Sequence, residues 1–150
     1  MARFTAEEAA SAMAIHQLIH DWAYELDIND GLKIAPLLTE DCVYTVGGEP
    51  RHGRAAAVQF YIDRRKRLEA TEAGPPVMRH PITTLRVVFA APDRAEVTFN
   101  IVFFSGLGTP PITAMKGPTA VADVTMTVAR DGEGEWRIAR FDSWQPFRAG

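Results

Sequence analysis

The hydrophobic period of this chain turns from mainly helical to that of strands near Met78, and that change restricts the fold more than any other feature. Before it, apolar residues recur at helical spacing: Ile15, Leu18, Ile19, Trp22, Ala23 and Leu26 form one stripe, and Val58, Tyr61, Ile62 and Leu68 form another. After it, the alternation is that of strands. Val97, Phe99, Ile101 and Phe103 share one face of a strand; Ala122, Val124, Met126 and Val128 share one face of the next, with Val121, Asp123, Thr125 and Thr127 opposite. Helices followed by antiparallel strands predict an α+β domain whose three N-terminal helices cover one face of a curved, mostly antiparallel sheet.

Local signals set the boundaries. Thr5-Ala6-Glu7-Glu8 has the form of a capping box and starts the first helix, which Asn29-Asp30-Gly31 ends. Gly31 to Leu38 reads as a short second helix, capped by Asp30 and cut short around Pro36. Cys42 to Val46 is a strand, Gly47-Gly48 a turn and Pro50 to His52 its short partner. Gly53 opens a third helix, Arg54 to about Ala70, in which Arg64-Arg65-Lys66-Arg67 reads as a solvated face at a helix C-terminus. Strands are expected over Met78 to Ala91, Ala95 to Phe104, Ala120 to Arg130 and Glu135 to Phe147. The long Gly106 to Pro118 connection is the expected rim of a mouth.

Composition narrows the function. A chain of 150 residues is expected to be a single domain, residues 1–150. A net charge of −3 and a pI near 5.8 argue against a nucleic-acid partner. The lone Cys42 cannot form an internal disulfide or a CxxC site, and no long apolar run suggests a membrane span, so a soluble cytoplasmic protein is expected. His16, His20 and Asp27 lie along one flank of the first helix, but no glutamate follows the first histidine as a zinc motif requires. Neither a metal nor a cofactor is expected.

One acid stands out. At about 100° per residue, Asp27 falls just off the edge of the first apolar stripe, where a helix leaves the core and a cavity can begin. A carboxylate there can be partly desolvated and still keep a polar partner.

Several segments, in order, resemble the SnoaL-like branch of the NTF2-like superfamily: Tyr24-Glu25-Leu26-Asp27 with Asp30, Leu37 to Tyr44, Gly53, Arg79-His80-Pro81-Ile82-Thr83-Thr84-Leu85-Arg86-Val87, and Trp136-Arg137-Ile138. The resemblance covers almost the whole chain and implies a cone, with helices packed in a curled sheet. In members that eliminate water or hydrogen halide, an aspartate late in the first helix orients a strand histidine that takes a proton from carbon. Asp27 and His80 stand at those positions. The resemblance thus implies a cofactor-independent lyase or isomerase acting on a small apolar, cyclic molecule; Tyr24 or Tyr44 is the candidate phenol donor, because a buried hydroxyl needs a partner and can polarise a carbonyl oxygen. Trp22, Asn100, Phe141 and Trp144 are the expected substrate-binding residues. It also implies an alternative, a non-catalytic binding or assembly domain like the small subunit of ring-hydroxylating dioxygenases. A homodimer or higher homo-oligomer through Val121, Thr125 and Thr127 is expected.

Overall fold

The computed structural model describes residues 3–115 and 117–150; Lys116, within the long connection, lies outside the described residues. Helix α1 (Ala6–Asn29) starts at the capping box. Thr5 N–H donates to Glu8 Oε2 at 2.7 Å and Glu8 N–H donates to Thr5 Oγ1 at 3.1 Å, which satisfies two otherwise orphaned amides. Its buried face contains Ile15, Leu18, Ile19, Trp22, Ala23 and Leu26, the stripe given by periodicity. The helix stops where Asp30 (φ 54°) and Gly31 (φ 78°) turn left-handed and both return their N–H groups to the Glu25 carbonyl.

A second helix over Gly31 to Leu38 does not form. The chain makes a turn there and then a three-residue 3-10 helix, Ala35–Leu37. Two left-handed residues at one end and Pro36 at the other deny it a run of i→i−4 bonds. Among the described residues there are therefore two α-helices where three were expected, the second being α2 (Arg54–Glu69).

The strands are β1 (Leu38–Val46), β2 (Glu49–His52), β3 (Val77–Arg79), β4 (Ile82–Ala91), β5 (Arg94–Gly106), β6 (Ala120–Arg130) and β7 (Trp136–Arg148). They form one sheet in the order β2-β1-β7-β6-β5-β3, with β4 also paired to β5. Every pair is antiparallel except β1 with β7. Val97, Phe99, Ile101, Val124, Met126, Val128, Ile138 and Phe141 pack with the α1 stripe in one core. Each such side chain contributes roughly 1.5–3 kcal/mol on burial.

Two irregularities position the site. The expected strand from Met78 to Ala91 is divided at His80-Pro81, between β3 and β4, but both pieces keep one register along β5, with Arg79 opposite Phe104 and Ile82 opposite Ile101, so the imidazole stands in a gap of the ladder beside β5. On β7, Arg140 pairs with Thr127 but Ile138 pairs with Val128, which leaves Ala139 as an extra residue. That bulge reverses the inward parity: Phe141, Ser143 and Gln145 face the cavity, whereas an unbroken alternation from Trp136 and Ile138 would have sent Trp144 inward. No helix among the described residues is long and apolar enough to cross a membrane.

Candidate active site

Asp27 lies in the last turn of α1 and His80 occupies the gap between β3 and β4. The carboxylate holds the histidine at two points: Oδ2 accepts the His80 backbone N–H at 3.1 Å and Oδ1 lies 2.6 Å from Nδ1. A carboxylate can only accept, so Nδ1 carries the proton in the neutral ring and Nε2 keeps its lone pair. No described residue hydrogen-bonds Nε2. The ring also packs on Phe103 of β5, with centroids 4.7 Å apart, so its plane is fixed by an aromatic neighbour as well as by the acid. Both side chains are mostly buried, at 16% and 15% exposure.

A second polar chain runs through the core behind the cavity. Trp22 Nε1–H donates to Tyr44 Oη at 2.8 Å, and the Tyr44 and Tyr61 hydroxyls are 2.8 Å apart. Tyr44 is sealed from solvent, and its oxygen already accepts from the indole. Its own proton has one acceptor within reach, Tyr61 Oη, so Tyr44 donates to Tyr61 and the Tyr61 O–H is free to turn towards the cavity it lines. The rings are fixed by packing: Tyr44 stacks on Phe141 at 4.6 Å, and Trp22 meets Phe141 at 5.2 Å.

Burial pushes the Tyr44 phenol well above its ordinary range and the Tyr61 phenol up to about 12, so both remain neutral donors. The consequence for stability has a definite sign. Each phenol binds its proton more tightly when folded, so its contribution is complete below the unfolded tyrosine value of about 10 and is lost as pH rises towards the folded one. Denaturant unfolding should therefore show stability falling steadily above about pH 10, with a shallower fall in Tyr44→Phe. Equal stability on both sides of that pH would contradict the buried-phenol pair.

The cavity between α1, α2 and the concave face has a volume of about 200 Å³. Its walls are largely apolar and aromatic, with His80, Tyr61, Arg64, Ser143 and Gln145 as polar groups. Of the expected substrate-binding residues, Trp22 and Phe141 line it. Three residues assigned to it from the sequence lie elsewhere. Tyr24 is 58% exposed, because two residues from Trp22 is a rotation of about 200° around the helix. Asn100 faces the convex side, where it accepts from Thr84 Oγ1 and donates to Asp123 Oδ1 at 2.6 Å; Phe99 and Ile101 beside it take the inward positions. Trp144 is 68% exposed on that convex side, beyond the β7 bulge. Tyr44 supports the wall from behind without lining it.

Tyr61 and Arg64 are the functional candidates that sequence reasoning missed. Their signal was present: Ala57, Tyr61 and Arg64 are spaced i, i+4, i+7, one face of α2. The run of four cations hid the fact that its first member continues the buried stripe.

Residues 7–142 match the SnoaL-like domain family. Among curated proteins no match was found. Among solved structures, hexachlorocyclohexane dehydrochlorinase LinA-type3 from Novosphingobium barchaimii LL02 superposes with a TM-score of 0.76 at 18% identity, over 95% of this chain and 91% of that one. A protein from Novosphingobium aromaticivorans described as a candidate scytalone dehydratase gives 0.75 at 18% identity, over 97% and 91%. ActVI-ORFA from Streptomyces coelicolor gives 0.75 at 15% identity, over 95% and 99%. At these identities the likeness is one of fold. With the family match spanning most of its length and the cone built as described, the chain belongs to the SnoaL-like domain family of the NTF2-like superfamily.

Proposed function

We propose that the protein is a cofactor-independent lyase or isomerase that takes a proton from carbon of a small, mainly apolar ring compound, with His80 as base and Asp27 as its orienter. The observation that carries this reading is the two-point hold of Asp27 on His80 at the wall of an apolar cavity. Holding Nδ1–H fixes the tautomer, and the carboxylate stabilises the imidazolium once Nε2 has taken the proton. Tyr61 O–H would polarise the carbonyl or leaving group, receiving its own hydrogen bond from Tyr44. A cavity of about 150 Å³ accepts benzene, so about 200 Å³ suits one ring with a short substituent. The names of two similar folds, a dehydratase and a dehydrochlorinase, lend support to an elimination.

The test is solvent deuterium incorporation into a panel of small cyclic ketones, followed by NMR. Enzyme-dependent exchange that disappears in His80→Ala is expected. Exchange unaffected by that change would refute the reading, and ligand binding without exchange across the panel would favour the non-catalytic alternative.

The same reading includes a homo-oligomer formed through the convex sheet face. Trp144 pairs across the strands with Asp123, and Phe147 with Val121, so two exposed aromatics flank the outward residues of β6. An exposed apolar β surface of this kind suits an isologous contact. Light scattering should give a multiple of the monomer mass, and the monomer mass after Trp144→Glu with Phe147→Glu. A monomer in the unmodified protein would rule this out.

A further inference from the structure

Arg64 differs from the other partly buried cations around it. Arg65, the next residue on α2, pairs with Asp30 and Glu69; Arg54 donates to the Leu38 carbonyl at 3.2 Å; Arg51 donates to the Val46 and Glu49 carbonyls and lies 4.0 Å above the Phe60 ring. Arg64 pairs with no carboxylate among the described residues. Its hydrogen-bond partner is the thioether of Met78, Nη2 to Sδ at 2.7 Å. A thioether is a weak acceptor, and a guanidinium has five N–H donors in a planar fork. Most of that fork is left for something else, and Arg64 lines the cavity.

The setting favours an anion. Among the described residues Arg64 is the one permanently charged group in the cavity wall, and no aspartate or glutamate lines it. Arg64 follows Tyr61 by three residues on α2, its partner Met78 precedes His80 by two, and Tyr61, Arg64 and His80 all line the same cavity. Its charge and that of Arg51 also act on the Tyr61 hydroxyl, opposing part of the effect of burial. In a largely apolar cavity a cation lacking a protein counter-ion is best stabilised by a ligand that brings one.

We propose that Arg64 is the substrate-recognition residue of this site and that the substrate is a one-ring carboxylate, bound with its two oxygens on the guanidinium fork and its ring in the cavity towards His80. The site and the orientation of the ring rest on the proton-abstraction reading. Recognition of the carboxylate does not require turnover. Arginine suits the task because its fork matches both carboxylate oxygens at once. The apolar walls then select the ring.

The experiment is a chemical-shift titration with two pairs of probes, cyclohexanecarboxylate against cyclohexanecarboxamide and benzoate against benzamide. In the unmodified protein each carboxylate should bind at least about tenfold more tightly than its amide. Arg64→Gln should abolish that preference and leave amide binding unchanged, while Arg64→Lys, which keeps the charge and loses the fork, should retain part of it. Lys66→Gln, an exposed charge on the same helix, should change nothing. Equal affinity for acid and amide, no binding of either, a preference that survives Arg64→Gln, or an equal loss in Lys66→Gln would each overturn the proposal. A failed base reading looks different: deuterium exchange would be indifferent to His80→Ala while the acid preference and its dependence on Arg64 persisted.

Discussion

Asp27→Asn and His80→Ala should each remove nearly all of the pair's contribution to turnover, and the double variant should be scarcely slower than either one. A positioned general base supplies roughly 10²- to 10⁴-fold, and that is the expected loss. His80→Ala deletes the acceptor. Asp27→Asn keeps the shape, but its amide can donate where the carboxylate only accepts, so the ring is no longer confined to the tautomer with Nε2 free. Groups that act as one unit lose their effect once, so the single losses should not multiply. Affinity for an apolar ring compound should survive all three variants, because it derives from the cavity walls. Single losses that multiply in the double variant would show that the residues act independently.

Gly31→Ala should have the largest effect of any single added methyl group, although it is remote from the reacting atoms. Gly31 has φ 78°, and a Cβ there would lie 2.4 Å from Cδ1 and 2.5 Å from Cγ of Tyr61. The contact is with the root of a rigid ring that is itself buried and hydrogen-bonded, so it cannot be relieved by bending a flexible tip. Left-handed strain and overpacking together should cost about 2–4 kcal/mol. Displacement of Tyr61 should also detach it from Tyr44, so turnover should fall alongside stability. Thermal unfolding and turnover measured on the same preparation would check this. A variant as stable as its parent would show that the α1 terminus and α2 are not packed as described.

The sequence contained the core and the pair but not the whole cavity. Helix α1 and strands β5 and β6 keep strict periods, so Ile15, Trp22, Val97, Phe99, Val124 and Met126 could be placed inward from spacing alone. Asp27 and His80 were legible through resemblance and through the position of the acid at the edge of an apolar stripe; their hydrogen bond joins segments 53 residues apart, which local spacing does not announce. Trp144 was misplaced for a different reason. A single extra residue at Ala139 exchanges the two faces of β7, and nothing in Trp136 to Arg140 marks it as a bulge. Tyr24 and Asn100 needed no hidden feature, since helical rotation and strand alternation both send them outward. Arg64 was obscured by charge, because a run of four cations reads as solvated even where one of them is turned towards a cavity.

The most direct test of the Asp27–His80 assignment is the protonation pattern of the His80 ring, read from its nitrogen chemical shifts in protein labelled with nitrogen-15. In the neutral ring, the proton should sit on Nδ1, in a strong hydrogen bond to Asp27, with Nε2 unprotonated and shifting when a ligand enters the cavity. Asp27→Asn should abolish that preference. A neutral ring with its proton on Nε2, or a pattern indifferent to Asp27→Asn, would mean that the acid does not set the tautomer and that His80 is not the base.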